Sequence, residues 1–231
     1  MEWNRLIYGT YRLPESYKDF KEIISICERK GIRWIDSAHM YNHQESERWI
    51  GRVKKEEGPR FKLKVATKCG KSYINGEPKI DLSEKTVFSQ LNNSLKNLGV
   101  KKIDLLFLHD YDKNLNEVDL IKLIKSIRST GRVKAIGLSN FPFDITKRMI
   151  EKKLVSVLQL KYGKSINYAL YKSVCQKHGA ALWLYRPFNK GKSIKKRGQA
   201  GAILKRILSE NKDSKIIFGA TKTSQIESFD Y

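Results

Sequence analysis

Four side chains in the first half of the sequence could together move a proton to or from an oxygen atom: Asp36, Tyr41, Lys68 and His109. Tyrosine, with a pKa of about 10, is a weak acid at neutral pH, but a neighbouring lysine cation stabilises the phenolate and lowers that pKa. Asp36 could hold Lys68 in place, and His109 could donate a hydrogen bond that orients a carbonyl group. The sequence has no metal-ligand cluster, nucleophile elbow or P-loop, so a cofactor such as a nicotinamide would supply the chemistry at carbon.

The elements that position these residues follow a repeating pattern in which short apolar runs alternate with segments of helical periodicity. The strand-like runs are Leu6 to Tyr8, Arg33 to Asp36, Leu63 to Lys68, Ile103 to His109, Ala135 to Ser139, Val155 to Leu160, Ala181 to Tyr185, and Ile216 to Gly219. The apolar helical stripes run from Phe20 to Cys27, Val87 to Leu98, Ile121 to Ile127, Tyr171 to His178, and Ile203 to Ile207. Strands that alternate with helices form right-handed βαβ crossovers and a parallel sheet.

Eight such units predict the α/β class, as a closed (β/α)8 barrel (TIM barrel) formed by a single domain over residues 1–231. An open doubly wound sheet is the alternative, but the sequence lacks the G-x-G-x-x-G motif after an early strand that would favour it. The chain is slightly shorter than the roughly 250 residues usual for a barrel. The last helix, from about Ser224 to Tyr231, is therefore expected to be truncated.

Polar residues follow the predicted strands, at the end where a barrel carries its active face. Besides the four residues above, this strand-end set consists of Thr10, Tyr11, Ser139, Asn140, Gln159, Tyr185, Arg186, Thr221 and Lys222. For Asp36 and Lys68 taken alone, the simplest interpretation is an ion pair that only closes the barrel. A buried Asp, Lys and His together are costly unless they compensate one another, and their joint occurrence favours a reaction site.

Five segments resemble the aldo-keto reductase family. The segment IDSAHMYNHQESERWIG, from Ile35 to Gly51, is similar to the family signature of Asp, four residues, Tyr, a Ser-Glu pair and a Gly. The segments KVATK, SLKNLGVKKIDLLFLH, GLSNF and GATKTSQIE follow in the family's order, so that the resemblance extends from about Leu6 to the end. It implies a barrel that binds NADPH and reduces an aldehyde or ketone by hydride transfer.

The resemblance also implies a role for each residue of a catalytic tetrad. Tyr41 would be the general acid, Lys68 would lower its pKa, Asp36 would pair with Lys68, and His109 would orient the carbonyl group. These roles agree with those that the residue types suggest on their own.

For the cofactor, the resemblance places the nicotinamide carboxamide against Ser139, Asn140 and Gln159, and the nicotinamide ring on Tyr185. Lys222 and Gln225 lie in the segment that holds the adenosine end, where a basic side chain and a helix amino terminus receive the 2′-phosphate. NADPH is therefore expected in preference to NADH. We expect the whole strand-end set, together with Gln225, to bind the cofactor.

The chain departs from the family pattern at Arg186, where many members have Ser, and at Asn42, where Gly is common. The amino-terminal hairpin that plugs the barrel floor in many members is expected to be absent. Basic residues near the expected mouth, namely Arg186, Lys161 and the loop 190–197, favour a sugar-like or acidic carbonyl substrate. That loop is expected either to clasp the pyrophosphate or an acidic substrate, or to be solvated lysine surface.

Charge and composition restrict the other function classes. The 231 residues include 46 Lys+Arg and 24 Asp+Glu, a formal net charge of +22 that attracts polyanions. The lysines are spread over most helical segments, however, so nucleic-acid binding is not expected. Three cysteines without a C-x-x-C pair indicate neither a disulfide framework nor a zinc site, and a cytoplasmic location is expected. No segment predicts export or a membrane span.

Two functions from different classes follow from these observations. The first is NADPH-dependent reduction of a small-molecule carbonyl substrate. The alternative is a catalytically weak, reductase-like barrel that senses the cofactor or binds polyanions. The sequence leaves the substrate, the direction of the reaction and the oligomeric state open.

Overall fold

The computed structural model describes residues 1–163, 166–194 and 198–230, and within them eight parallel strands close into a barrel. The strands are β1 (Leu6–Gly9), β2 (Trp34–Asp36), β3 (Lys64–Cys69), β4 (Lys71–Ile74), β5 (Glu77–Ile80), β6 (Leu105–Leu108), β7 (Ile136–Ser139), β8 (Val157–Lys161), β9 (Ala181–Tyr185) and β10 (Ser214–Phe218). The barrel order is β1-β10-β9-β8-β7-β6-β3-β2, while β4 and β5 form a separate hairpin. The predicted (β/α)8 barrel is confirmed, and every predicted strand is present within a residue or two.

Helices connect the barrel strands and cover the outside of the barrel. They are α1 (Tyr17–Arg29), α2 (Glu45–Glu57), α3 (Glu84–Leu98), α4 (Glu117–Ser129), α5 (Phe143–Glu151), α6 (Tyr168–His178), α7 (Gln199–Glu210) and α8 (Thr223–Glu227). Short 3-10 helices cover Trp3–Arg5, Tyr41–Gln44, Gly58–Arg60, Asn189–Gly191 and Ser228–Asp230. Each predicted apolar stripe falls within a helix. No stripe was evident in α2, because its buried face includes the polar residues Ser46 and Glu47.

The strands are apolar on both faces because each face is buried. In β6, Leu105 and Phe107 point into the barrel, whereas Leu106 and Leu108 pack beneath the helices. Gly137 on β7 leaves room for the Phe107 ring, since a Cβ at that position would contact the ring and lie 2.7 Å from the carbonyl oxygen of Val157. Packing inside the barrel thus depends on glycine at position 137, because any side chain there would collide with the Phe107 ring.

Tryptophan side chains fill the amino-terminal end of the barrel. Trp34, at the start of β2, packs edge-on against Trp183 of β9, with 5.2 Å between the ring centroids. Phe107 packs against Trp183 from the other side, at 5.6 Å. The segment before β1 is a 3-10 helix, and the guanidinium of Arg5 donates hydrogen bonds to the carbonyl oxygens of Leu208 and Ser214.

The hairpin β4–β5 was not predicted, although the sequence contains its signal. Asn75 and Gly76 form the two-residue turn, with φ of 52° and 81°. Two successive positive φ values match the twist of antiparallel strands, and Asn-Gly is the dipeptide that adopts them most readily. The parallel strand repeat and this antiparallel turn are therefore separate signals in the sequence.

The carboxyl-terminal residues pack against the barrel. Helix α8 is short, as expected, and leads into the 3-10 helix Ser228–Asp230. Phe229 is buried against Phe218, with ring centroids 5.2 Å apart. Among the described helices, none has the length and apolar character needed to cross a membrane.

Candidate active site

A cleft of about 440 Å³ lies at the carboxyl ends of the barrel strands. Most of the residues predicted for the site line it: Tyr11, Asp36, Tyr41, His109, Ser139, Asn140, Gln159, Tyr185, Arg186, Thr221 and Gln225. Lys68 lies directly behind this surface and is 1% exposed. The fold therefore brings together residues that are separated by as much as 214 positions in the sequence, from Tyr11 to Gln225.

The ion pair between Lys68 and Asp36 forms the base of the cleft. Lys68 Nζ lies 2.7 Å from Asp36 Oδ2 and donates a second hydrogen bond, also of 2.7 Å, to the carbonyl oxygen of Ser37. Gln159 Nε2 donates to the other carboxylate oxygen of Asp36, at 2.7 Å. Both oxygens of the buried carboxylate are therefore satisfied, as a buried charge requires.

Burial lowers the pKa of Lys68, and the carboxylates of Asp36 and Glu47 oppose that shift. Glu47, which the sequence analysis considered only as part of a signature, is fully buried on α2. Thr67 Oγ1, from the residue before Lys68, donates a 2.6 Å hydrogen bond to Glu47 Oε1. Two carboxylates from different elements therefore favour the cationic form of the same lysine.

Tyr41 lies above this ion pair at the start of a 3-10 helix. Lys68 Nζ is 4.9 Å from the centroid of the Tyr41 ring, and the rings of Tyr11 and His109 pack against it at 5.2 and 5.7 Å. Desolvation and the Asp36 carboxylate raise the pKa of Tyr41 well above its usual value, and only partial compensation comes from Arg186. The prediction that Lys68 lowers the pKa of Tyr41 is therefore wrong in direction, because desolvation and the Asp36 carboxylate dominate. The phenol of Tyr41 is thus protonated near pH 7.

His109 lies at the end of β6 and is 8% exposed. Its Nδ1 atom is buried without a hydrogen-bond partner among the described residues. Burial lowers the pKa of His109 well below its usual range, and the cations of Lys68 and Lys71 lower it further. The imidazole is therefore neutral near pH 7, and it retains one N–H with which to bind a carbonyl oxygen.

A chain of hydrogen bonds joins the middle of the cleft to the ion pair. Tyr185 Oη donates to Asn140 Oδ1 at 2.9 Å, and Asn140 Nδ2 donates to Ser139 Oγ at 3.3 Å. Ser139 Oγ in turn donates to Gln159 Oε1 at 3.3 Å, and Gln159 reaches Asp36. The amide groups of this chain are fixed in orientation by their neighbours, which suits the binding of another amide.

Both residues that depart from the family pattern, Asn42 and Arg186, have a positive backbone φ angle. Asn42 and Arg186 adopt φ of 48° and 63°, a conformation that glycine adopts most easily and asparagine tolerates. Asn42 Nδ2 donates to the carbonyl oxygen of Thr10 and to Ser46 Oγ, which holds this turn. Arg186 places its guanidinium 5.7 Å from the centroid of the Tyr185 ring, on the cleft surface.

Two predicted cofactor-binding residues do not reach the cleft surface. Thr10 is fully buried, and its backbone N–H and Oγ1 both donate to the carbonyl oxygen of Asp36, so it holds the ends of β1 and β2 together instead. Lys222 is exposed beside the cleft, where the backbone N–H groups of Thr221 and Lys222 donate to Gln225 Oε1. Cofactor binding by Thr10 and Lys222 stays a prediction, and the structure places both residues outside the cleft lining.

Only some of the basic residues that were predicted near the barrel mouth line the cleft. Of the basic loop 190–197, Lys190, Gly191 and Ile194 line the cleft, while residues 195–197 lie outside the described part of the chain. Lys161 is exposed and is absent from the cleft lining. Conversely, sequence analysis missed Arg12 and the wall formed by the β4–β5 hairpin. In the described ranges, no group of three His, Cys, Asp or Glu residues could hold a metal ion.

Known proteins resemble this chain in sequence and in fold. The 6-dehydroglucose reductase of Agrobacterium fabrum is 28% identical over 158 residues, which are 63% of this chain and 53% of the relative. The yakc aldo-keto reductase of Schizosaccharomyces pombe, whose name specifies NADP(+), is 25% identical over 186 residues, 77% of this chain and 54% of the relative. The chain thus spans about half the length of these curated relatives.

The solved holo form of aldo-keto reductase AKR11C1 from Bacillus halodurans has the same fold, with a TM-score of 0.80 and 18% identity. The match covers 97% of this chain and 85% of that one. The profile of the Aldo/keto reductase family matches residues 5–227, nearly the whole sequence. The chain therefore belongs to the aldo-keto reductase family.

Proposed function

We propose that this chain reduces an aldehyde or ketone to an alcohol with NADPH, and that Tyr41 is the general acid. The observation that supports this most directly is the arrangement of the tetrad. A buried Lys68–Asp36 ion pair lies beneath the Tyr41 ring, and the neutral His109 lies beside it. An ion pair that only closed the barrel would not explain why Tyr41 packs above it or why the buried His109 Nδ1 has no hydrogen-bond partner among the described residues.

The groups that line the cleft fit a nicotinamide cofactor. Ser139, Asn140 and Gln159 offer oriented hydroxyl and amide groups for the carboxamide, and the Tyr185 ring offers an aromatic face. Arg186 provides a cation on the same surface for phosphate. When bound there, NADPH supplies the hydride for the carbonyl carbon. The preference for NADPH over NADH is supported by the NADP(+) in the name of the S. pombe relative.

The chain's own residues then handle the proton and the oxygen. His109 donates a hydrogen bond that orients the carbonyl oxygen and stabilises the charge that develops on it. Tyr41 donates its phenolic proton to that oxygen. Lys68 stabilises the resulting phenolate, and Asp36 and Ser37 keep the ammonium group in position. Burial favours the protonated phenol of Tyr41 and the neutral imidazole of His109, and the Asp36 carboxylate favours the ammonium form of Lys68 against the desolvation that lowers its pKa.

A polar substrate, either sugar-like or acidic, agrees with the charges of the cleft. Arg12, Arg186 and Lys190 line it, and none of the three forms an ion pair within the described part of the chain. The name of the A. fabrum relative, 6-dehydroglucose reductase, specifies a carbonyl compound of the sugar class. Both observations favour a hydrophilic carbonyl compound.

The substitution Tyr41→Phe tests the proposal, because it removes only the phenolic hydroxyl. Loss of a general acid costs about 10²- to 10⁴-fold in turnover, whereas NADPH binding, followed by quenching of tryptophan fluorescence, should persist. Tyr171→Phe is the matched control, since it removes a phenolic hydroxyl from α6, outside the cleft lining. Turnover within a few fold of wild type in Tyr41→Phe would show that another group donates the proton.

A further inference from the structure

The β4–β5 hairpin forms one wall of the cleft. Side chains alternate along a strand, so Lys71 and Tyr73 share one face, and Tyr73 lies opposite Pro78 in the antiparallel register. These three residues line the cleft. Ser72 and Lys79, which also lie opposite each other, belong to the other face and do not line it. The hairpin therefore presents one defined face to bound molecules.

The root of the hairpin is fixed to the barrel next to the tetrad. Gly70, directly after β3, adopts φ of 87°, and its N–H donates a 2.7 Å hydrogen bond to the buried side chain of Gln90. The N–H of Asp81 closes the hairpin with a 3.0 Å hydrogen bond to the carbonyl oxygen of Gly70. A Cβ at Gly70 would collide with the Leu82 side chain. The hairpin wall thus has a set position relative to Lys68, two residues before Gly70.

An ion pair connects this wall to the strand that carries His109. Lys71 Nζ lies 2.6 Å from Oδ2 of Asp110, the residue after His109, and the two side chains are 21% and 23% exposed. The pair remains accessible from the cleft, and Lys71 is close enough to His109 to lower the pKa of the imidazole. It is therefore positioned beside the carbonyl-binding group.

The chemistry of the pair favours hydroxyl groups over carboxylates. The ammonium of Lys71 has further N–H donors, and the carboxylate of Asp110 has further acceptor positions. A hydroxyl group is both donor and acceptor and can use both partners. A substrate carboxylate would meet Lys71 only next to the like charge of Asp110, which offsets the attraction. The Tyr73 ring, 49% exposed, adds an apolar surface on the same wall.

We propose that Lys71, Asp110 and Tyr73 form a substrate subsite that selects polyhydroxylated aldehydes or ketones. This inference rests on the proposed function and narrows its substrate class to sugar-like compounds. The Lys71–Asp110 pair binds hydroxyl groups near the reacting carbonyl group, and Tyr73 packs against the C–H face of the carbon chain.

The test compares the kcat/KM of D-erythrose with that of butanal, which have four carbons each but differ in hydroxyl groups. Wild type should prefer D-erythrose. Lys71→Met should reduce that preference by about 10-fold, the effect of losing a hydrogen bond to a charged group. Lys79→Met removes the same charge from the opposite face of the same hairpin and should leave the preference unchanged. A general effect of Lys71 on His109 changes both rates and cancels in the ratio.

A second variant covers the case in which Lys71→Met destabilises the hairpin. Tyr73→Leu changes an exposed side chain and should lower the preference several fold while the thermal transition remains that of wild type. If wild type reduces both probes with NADPH but shows no preference, or if Lys71→Met and Lys79→Met behave alike, the subsite is refuted while the proposed function stands. If folded wild type oxidises NADPH with neither probe, the proposed function fails and the subsite falls with it.

Discussion

The Lys68–Asp36 pair allows stability and catalysis to be separated by substitution. The side chains are buried, and Lys68 Nζ lies 2.7 Å from both Asp36 Oδ2 and the carbonyl oxygen of Ser37. Lys68→Met removes both hydrogen bonds and leaves the Asp36 carboxylate buried with only Gln159 as a donor. Breaking a buried ion pair from one side costs about 3–5 kcal/mol. That is a large share of a typical unfolding free energy of about 5–15 kcal/mol.

The double substitution Asp36→Asn with Lys68→Met removes the stranded charge while retaining an acceptor for Gln159. It should recover at least about 2 kcal/mol relative to Lys68→Met alone, because the uncompensated charge accounts for most of the loss. Reductase activity should be absent from both variants, since neither has a cation beneath Tyr41. Stability is measured by urea unfolding monitored by tryptophan fluorescence, and activity by NADPH oxidation.

Lys122→Met is the stability control, because it breaks the exposed Lys122–Asp119 ion pair on α4 rather than a buried pair. Exposed pairs contribute about 0–1 kcal/mol, so its unfolding free energy should remain within that range of wild type. A double variant as unstable as Lys68→Met would refute the argument from buried charge. A double variant with full activity would show that the pair only closes the barrel, the simpler interpretation that the sequence left open.

Two further predictions concern pH and packing. Because burial lowers the pKa of His109 below 6.5, only the unfolded chain binds a proton there as the pH falls below that value. The His109 contribution is thus complete above pH 6.5 and declines below it, by up to about 1.4 kcal/mol per pH unit. His109→Gln should reduce the slope of urea-derived stability between pH 6.5 and 5, and the part that remains comes from His39, whose pKa burial also lowers. An unchanged slope would contradict this. Gly137→Ala should destabilise the barrel by about 1–3 kcal/mol through overpacking against Phe107. Gly163→Ala, where a Cβ meets nothing within 4 Å, should be neutral in thermal unfolding, and equal effects would refute the packing argument.

The barrel and most of its active face could be predicted from local information. Apolar periodicity determines which segments become strands and helices, and strand ends then indicate which polar residues meet at one face. Asp36, Lys68 and His109 were identified in this way because each follows or ends an apolar run. The hairpin at Asn75–Gly76 was not predicted, although the Asn-Gly pair is a local signal of the same kind.

Other properties depend on contacts between segments that are distant in sequence. No local pattern reveals that Thr10 is fully buried beneath the cleft, or that Trp34 meets Trp183 at the barrel floor. The pKa of Tyr41 illustrates the same limit. Residue types suggested that Lys68 lowers it, whereas the folded chain raises it through desolvation and the nearby Asp36 carboxylate.

The sequence by itself determined the barrel and which polar residues stand at its strand ends, because both depend on residue types at regular local spacing. Only the tertiary structure decided how the protons are distributed over Tyr41, Lys68 and His109, and that Lys71 lies beside Asp110 at the cleft. Those properties depend on burial and on distances across the barrel. They are set when the strand ends converge, and no local stretch of sequence encodes them.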